Sequence, residues 1–243
     1  MQTRRLAATA LCALTCWMFS ATPHARTLIN STGNSAIDEA AKDEAAKDDA
    51  AIRELLEGTS GRRESWSTTP ALVIQSAVLE YRSGDLASGF VALNDTLSAS
   101  DVQQLTLDLT TALDELTAGT YKAFRSVTVE TARHGTIVNV LRHGDIVVGR
   151  FRGVQSTTGN LGYGGRVSSR NGSIVEAVIL LDDAFDRQSN HRDVARTHDL
   201  GHALGFNHVS VRPSVMNPRA GTTLTDFDRA AIREAFFEGP ALR

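Results

Sequence analysis

The segment HDLGHALGFNH, residues 198–208, restricts the fold and chemistry of this chain more than any other feature of its sequence. His198 and His202 are four residues apart, so on a helix they share one face, with Cβ atoms about 5–6 Å apart. Gly205 is expected to end that helix through a left-handed turn, which directs His208 back towards the first two imidazoles. The spacing therefore predicts three histidines gathered around one metal ion.

A set of three neutral imidazoles is typical of a catalytic zinc ion, because it leaves a fourth position for water or substrate. We therefore predict one Zn²⁺ ion held by His198, His202 and His208. No sequence motif supports a structural Ca²⁺ ion. Both cysteines lie in the N-terminal signal segment described below, so the mature chain is expected to have no disulfides and no thiolate ligands.

The same segment resembles the zinc-binding signature H-E-x-x-H-x-x-G-x-x-H of the metzincin metallopeptidases. SVMNP (214–218) follows it and resembles the Met-turn of the matrixin branch, with Met216 eight residues after His208. The likeness covers about residues 66–243. Three further segments are similar to the edge strand on the substrate side, its neighbouring strand and the C-terminal helix of that family: NLGYGGRV (160–167), GSIVEAVILLDD (172–183) and LTDFDRAAIR (224–233).

The resemblance implies an α+β, zincin-like fold: a twisted, mainly five-stranded mixed sheet with three helices, and a cleft between upper and lower halves. It implies that the three histidines bind zinc and that Met216 forms an apolar floor beneath them. Polypeptide substrates would enter extended and pair with the edge strand near Leu161, Gly162 and Tyr163. Asp199 occupies the position of the general base.

Asp199 is the departure that matters most, because the family signature has glutamate at this position. Aspartate has the same charge and a similar ordinary pKa, but its side chain is shorter by one methylene group. A small misplacement of a catalytic group can cost about a hundredfold in rate. The substitution therefore predicts a weaker or more specialised hydrolase, in which Asp199 still acts as the base.

The first residues of the chain form a pattern typical of a secretory signal peptide. Arg4 and Arg5 precede an apolar stretch at 6–19, and small residues follow near Ala21 and Ala25. The apolar stretch is too short to be a typical transmembrane helix. We predict a signal peptide over residues 1–25, secretion to the extracellular space or periplasm, and no transmembrane segment after cleavage.

Residues 26–60 have a different composition, with the unit DEAAK repeated inside an alanine-rich stretch at 36–57. This composition favours a solvated helix that serves as a semi-rigid linker. A pro-segment that shields the site is the alternative. The predicted metallopeptidase domain spans residues 61–243, and we expect it to be monomeric.

Hydrophobic periodicity predicts an α+β order of elements within that domain. Ser98 or Ser100 and Thr225 are expected N-caps. The expected strands are 71–81, 124–132, 136–142, 145–153, a short one before Asn171 and 174–181, and the expected helices are 97–119, 190–204 and 226–237.

The function predicted from these features is a secreted zinc endopeptidase. The net charge of −3 offers no basic surface for nucleic acid. Two alternatives stay open. One is a zincin-fold protein that binds peptide or metal without turnover, which Asp199 favours. The other is extracellular metal sequestration, which would need more than one competent site.

Overall fold

The computed structural model describes residues 34–82, 89–153, 161–188, 190–219 and 221–238, with side chains from residue 44 onwards. The predicted signal peptide and the start of the predicted linker lie outside the described residues. The α-helices are α1 (Asn34–Glu57), α2 (Ala99–Leu116), α3 (Asp183–Gln188), α4 (Arg192–Leu204) and α5 (Asp226–Arg233), with a π-helical turn at Glu234–Glu238. The strands are β1 (Ser65–Trp66), β2 (Ala71–Tyr81), β3 (Phe90–Thr96), β4 (Val127–Glu130), β5 (Ile137–Val138), β6 (Asp145–Arg152), β7 (Gly162–Ser168) and β8 (Ser173–Asp182).

One mixed sheet contains all of these strands, in the order β1-β8-β6-β2-β3-β5, with β4 also paired to β2 and β7 to β8. Strands β2, β6 and β8 run parallel to one another, and β3 and β7 run antiparallel to their neighbours. The first nine residues of β2 are buried, as expected for a central strand covered on both faces.

The predicted α+β class is confirmed, but the counts differ from the expected five strands and three helices. Three of the eight strands in the sheet are short: β1, β4 and β5. The additional helices are α1 and the single-turn α3, which directly follows β8. Five long strands therefore form the body of the sheet, and the short ones extend its margins.

Helices α2 and α4 pack together on one face of the sheet and form the larger hydrophobic core. Their apolar residues recur at helical spacing, with Leu105, Leu109 and Leu113 on α2 and Leu200 and Leu204 on α4. A smaller core on the opposite face includes Val73, Phe90, Val147, Val178 and Leu180. Because both faces of the sheet are covered, α4 is held against a rigid platform.

Helix α1 contributes to the larger core, although its sequence predicts a solvated linker. Ala51 and Leu55 are buried, and the N–H of Asn207 donates to the carbonyl oxygen of Leu55 at 2.8 Å. Arg212 forms ion pairs with Glu44 and Asp48 on the exposed side of the helix. The division of the chain at residue 60 stays a prediction, and the hydrophobic core extends back beyond it to Ala51.

Local capping rules explain where two of the helices begin. Ser98 and Thr225 are the N-caps of α2 and α5, and each forms a capping box with an aspartate three residues later. Of the two expected caps for α2, Ser98 and Ser100, the structure selects Ser98, and the prediction of Thr225 is confirmed. Within the described residues, no helix is long and apolar enough to cross a membrane.

Candidate metal centre

Helix α4 ends at a glycine that no other residue could replace without strain. Gly205 has φ +116°, and a Cβ on it would lie 2.1 Å from the carbonyl oxygen of Glu64. The N–H groups of Gly205 and Phe206 donate to the carbonyl oxygens of His202 and Gly201, which satisfies the end of the helix. The chain turns back at this point and brings His208 beside the helix, as the spacing predicts.

The three predicted ligands come together at their Nε2 atoms. His198 and His202 are separated by 3.2 Å, His198 and His208 by 3.2 Å, and His202 and His208 by 3.0 Å. Zinc–nitrogen bonds of about 2.0–2.1 Å in a tetrahedral set separate the ligand atoms by about 3.3 Å. The three nitrogens therefore have the spacing that one metal ion requires, and they could bind one.

The contacts among these nitrogens are not ordinary hydrogen bonds. Nδ1 of His198 lies 2.7 Å from the carbonyl oxygen of Val215, and Nδ1 of His202 lies 3.0 Å from that of Phe206. Since a carbonyl oxygen only accepts, both Nδ1 atoms carry the hydrogen and both Nε2 atoms present lone pairs. Lone pairs that face each other at 3.2 Å repel, so this donor set fits a bound cation.

Burial keeps the imidazoles in the neutral form that binds metal. It lowers the pKa of His198 to about 4 and the pKa of His202 well below its ordinary value. The pKa of the partly exposed His208 is lowered for the same reason. The folded chain therefore presents three uncharged ligands at neutral pH.

Met216 lies against helix α4 beside Gly201. A Cβ on Gly201, which lies between His198 and His202 in the sequence, would be 2.4 Å from the sulfur of Met216. The methionine side chain is fully buried. Met216 is therefore a buried side chain packed against α4, and Gly201 leaves the space for its sulfur. Its role as an apolar floor beneath a metal ion stays a prediction.

The turn before Met216 is anchored by a buried carboxylate at the start of α5. Asp228 accepts hydrogen bonds from the hydroxyl of Ser214 and, at 3.0 Å, from the N–H of Val215. The carbonyl oxygen of Val215 is the acceptor for His198 Nδ1. The capping aspartate of α5 thus holds the peptide that orients the first ligand.

Asp199 is buried between α4 and the edge strand β7. A Cβ on Gly162 would lie 2.2 Å from Oδ2 of Asp199, and one on Gly164 would lie 2.3 Å from its carbonyl oxygen. Burial raises the pKa of Asp199 well above its ordinary value, and the nearby charge of Asp186 adds to the shift. The glycines of β7 therefore let the strand approach the helix closely, with the Asp199 carboxylate directly beside Gly162.

The predicted substrate strand is the antiparallel edge of the sheet. Gly162 pairs with Leu181 and Tyr163 with Leu180, while the carbonyl oxygen of Leu161 accepts from the N–H of Asp182 at 3.1 Å. Among the described residues, no strand pairs with the other side of β7. The role of this edge in substrate binding stays a prediction.

Two features of the site could not be predicted from sequence patterns. Arg166 on β7 contacts the end of α4, and a buried cluster of ion pairs centred on Asp186 lies under the start of α4. Their partners are distant in sequence, so no local spacing signals them.

No protein-family model matches the chain, and no curated protein matches it.

Proposed function

We propose that the chain is a secreted zinc endopeptidase of the matrixin-like metzincin kind. The observation that carries the proposal is the convergence of three Nε2 atoms at 3.0–3.2 Å, two of them with lone pairs fixed by carbonyl acceptors on Nδ1. The five long strands, the methionine floor and the open edge strand beside Asp199 support the same proposal. Secretion rests on the signal-peptide pattern at the N-terminus.

His198, His202 and His208 would hold the zinc ion. A zinc ion at such a site polarises a carbonyl group and lowers the pKa of bound water towards neutrality. The raised pKa of Asp199 suits a carboxylate that accepts a proton during hydrolysis and passes it to the leaving amine. The Oδ2 atom of Asp199 lies beside the strand that would hold the substrate. The same carboxylate could therefore accept the proton and later donate it to the leaving amine.

Substrate binding would use the backbone of β7. An extended peptide can add to an open strand edge, where main-chain hydrogen bonds supply affinity and side-chain pockets supply selectivity. Gly162 and Gly164 have no side chains that would separate such a peptide from Asp199. Polypeptides in extended conformation are therefore the substrate class that this arrangement favours.

A peptide- or metal-binding protein without turnover is the alternative, and the short side chain of Asp199 favours it. Within the described residues, no hydrogen-bond donor contacts the Asp199 carboxylate, so its direction depends on packing alone. The two functions share the metal site and differ only in catalysis.

The test combines metal analysis with peptide mapping. The full chain is incubated with a denatured protein mixture, with and without a chelator, and cleaved peptides are identified by mass spectrometry. We expect one zinc ion per chain, cleavage that the chelator stops, and faster cleavage by the Asp199→Glu variant. If both forms bind zinc and neither cleaves any peptide in a broad set, the hydrolase proposal is wrong and the binding alternative holds.

A further inference from the structure

The edge strand β7 carries an arginine whose side chain turns inwards to the end of α4. Arg166 is mostly buried and donates through Nη1 to the carbonyl oxygens of His202 at 3.0 Å and Phe206 at 3.3 Å. Its Nη2 atom donates to Oδ1 of Asn207 at 3.0 Å. One guanidinium thus contacts the second histidine and the two residues that precede the third one.

The acceptor on Phe206 links this arginine to the ligand geometry of His202. The same carbonyl oxygen accepts from Nδ1 of His202 and therefore fixes the imidazole with Nε2 towards the other ligands. Arg166 donates to that oxygen and to the backbone carbonyl of His202 itself. The arginine therefore holds the residue that orients the second ligand.

The contact with Asn207 links Arg166 to the third ligand. Within the described residues, Nδ1 of His208 has no hydrogen-bond partner, so its placement depends on the preceding backbone. Asn207 is held on one side by Arg166 and on the other by the carbonyl oxygen of Leu55, to which its N–H and Nδ2 groups donate at 2.8 and 3.2 Å. The backbone that presents His208 is therefore tied to both β7 and α1.

A cation this close to a metal site would ordinarily weaken metal binding through charge repulsion. Here Nε of Arg166 pairs with Oε2 of Glu64 at 2.6 Å, and both side chains are mostly buried. The pair offers hydrogen-bond donors to the turn without adding net charge.

We propose that Arg166 is a positioning residue of the metal centre, which with its partner Glu64 holds the turn that presents His202 and His208. The inference deepens the proposed function and rests on its metal-binding part, not on hydrolysis. Residues that orient metal ligands through hydrogen bonds, without binding the metal themselves, typically contribute about 10–100-fold to metal affinity. A role limited to capping the helix would instead stabilise the metal-free and the zinc-bound chain equally.

The experiment compares Arg166→Gln with wild type and with Arg142→Gln. Arg142 is a matched control because it also pairs with a glutamate, Glu130 at 2.7 and 2.7 Å, but at a different part of the sheet. The Kd for Zn²⁺ is measured on the chelator-stripped full chain by competition with a chromogenic chelator. Thermal unfolding of both forms and the visible spectrum of the Co²⁺-loaded protein are recorded in parallel.

We expect Arg166→Gln to weaken Zn²⁺ about 10–100-fold, to reduce the stabilisation that zinc gives and to alter the Co²⁺ spectrum. Arg142→Gln should keep the wild-type Kd and spectrum. Arg166→Lys keeps the charge but replaces the guanidinium fork with one nitrogen, so it should bind zinc about threefold more weakly or worse. If Arg166→Gln does not fold, the same measurements are made on Arg166→Lys.

Three results would overturn the inference. The first is a wild-type Kd in either Arg166 variant, and the second is an equal loss of affinity in Arg142→Gln. The third is an equal fall in unfolding temperature for the metal-free and zinc-bound forms of Arg166→Gln. A wild-type chain that binds no zinc would overturn the proposed metal centre itself, and this inference with it, before any variant is compared.

Discussion

Helix α4 carries two buried polar clusters that are stabilised in opposite ways. Near its start, Arg196 donates to both carboxylate oxygens of Asp186 at 2.7 and 2.8 Å, and Arg150 on β6 donates to the same aspartate at 2.8 Å. Further along the same helix, the neutral imidazoles of His198 and His202 point at each other. In the first cluster opposite charges neutralise one another, whereas in the second three uncharged lone-pair donors face a common point.

The comparison separates a structural role from a ligand-binding role within one helix. The arginine–aspartate cluster joins α3, α4, β6 and, through Asp101, the start of α2. In this cluster each guanidinium group pairs with carboxylates, those of Asp186 and Asp101 for Arg150 and those of Asp186 and Asp108 for Arg196. The three imidazoles of the histidine cluster are neutral, and the proposed metal ion would stabilise them. Burial of the ion-pair cluster is therefore consistent with a structural role, whereas burial of the histidine cluster is consistent with the proposed metal binding.

The largest effect is expected from removing one ligand of the histidine cluster. His202→Ala should lose more than the roughly 10–100-fold in zinc affinity that a lost outer partner costs, and with it all hydrolysis. Metal analysis after dialysis and a chelator-controlled cleavage assay measure both losses. If His202→Ala retains zinc and activity, the claim that the histidine cluster binds the metal is wrong.

Breaking the ion-pair cluster should affect stability and leave metal binding in place. Asp186→Asn leaves two buried guanidinium groups without their shared carboxylate, which we expect to cost about 3–5 kcal/mol in unfolding free energy. Urea unfolding measures this loss. Asp95→Asn is the control, because its ion pairs with Arg152 and Arg187 are exposed and should contribute about 1 kcal/mol or less. Equal losses in the two variants would contradict the structural role.

A methyl group on the edge strand should change catalysis without changing the ligands. Gly162→Ala places a Cβ against Oδ2 of Asp199, and a displacement of that carboxylate should lower kcat/KM about a hundredfold. Zinc content should be unchanged. Gly149→Ala on β6 is the matched control, because its nearest neighbour would lie at an ordinary 3.4 Å. An unchanged kcat/KM would argue against Asp199 as the base.

The two clusters should also differ in the pH range over which they affect stability. Burial lowers the pKa of His198 from 6.5 to about 4, so the unfolded chain binds a proton in that interval that the folded chain does not. The metal-free protein should therefore be fully stable above pH 6.5 and lose stability as the pH falls towards 4.

The ion-pair cluster should respond at lower pH. A hydrogen bond from Arg150 lowers the pKa of the Asp101 carboxyl group well below the ordinary 3.8. The stability that this pair contributes is therefore present above pH 3.8 and is lost as the pH falls below it. Unfolding free energies at a series of pH values test both intervals. A metal-free chain whose stability does not change between pH 6.5 and 4 would contradict the effect of histidine burial.

Local rules predict part of the fold from the sequence. The bounds of β2, Ala71–Tyr81, agree with the prediction because a long apolar run between turn residues has one interpretation. The histidine spacing predicts the metal centre because its geometry is set within one helix and one turn. By contrast, Arg150 lies inside a predicted strand, and its inward position depends on aspartates at 101 and 186, which no local pattern connects to it.

Other elements differ from the prediction for physical reasons. The sequence does not predict strand β3, Phe90–Thr96, because its apolar run is only four residues long and is followed by exposed polar ones. Helix α1 has an alanine-rich composition that indicates a linker, yet its last two turns are packed into the core. In both cases tertiary contacts outweigh the average composition of the segment.

The most direct test is X-ray absorption at the zinc edge, together with zinc analysis of the purified chain. The account predicts one ion per chain with three imidazole nitrogens at about 2.0–2.1 Å and an oxygen as the fourth ligand. Substitution of any of the three histidines should remove that signal. A chain that takes up no zinc when the metal is supplied, or that binds it through fewer than three imidazoles, would contradict the account.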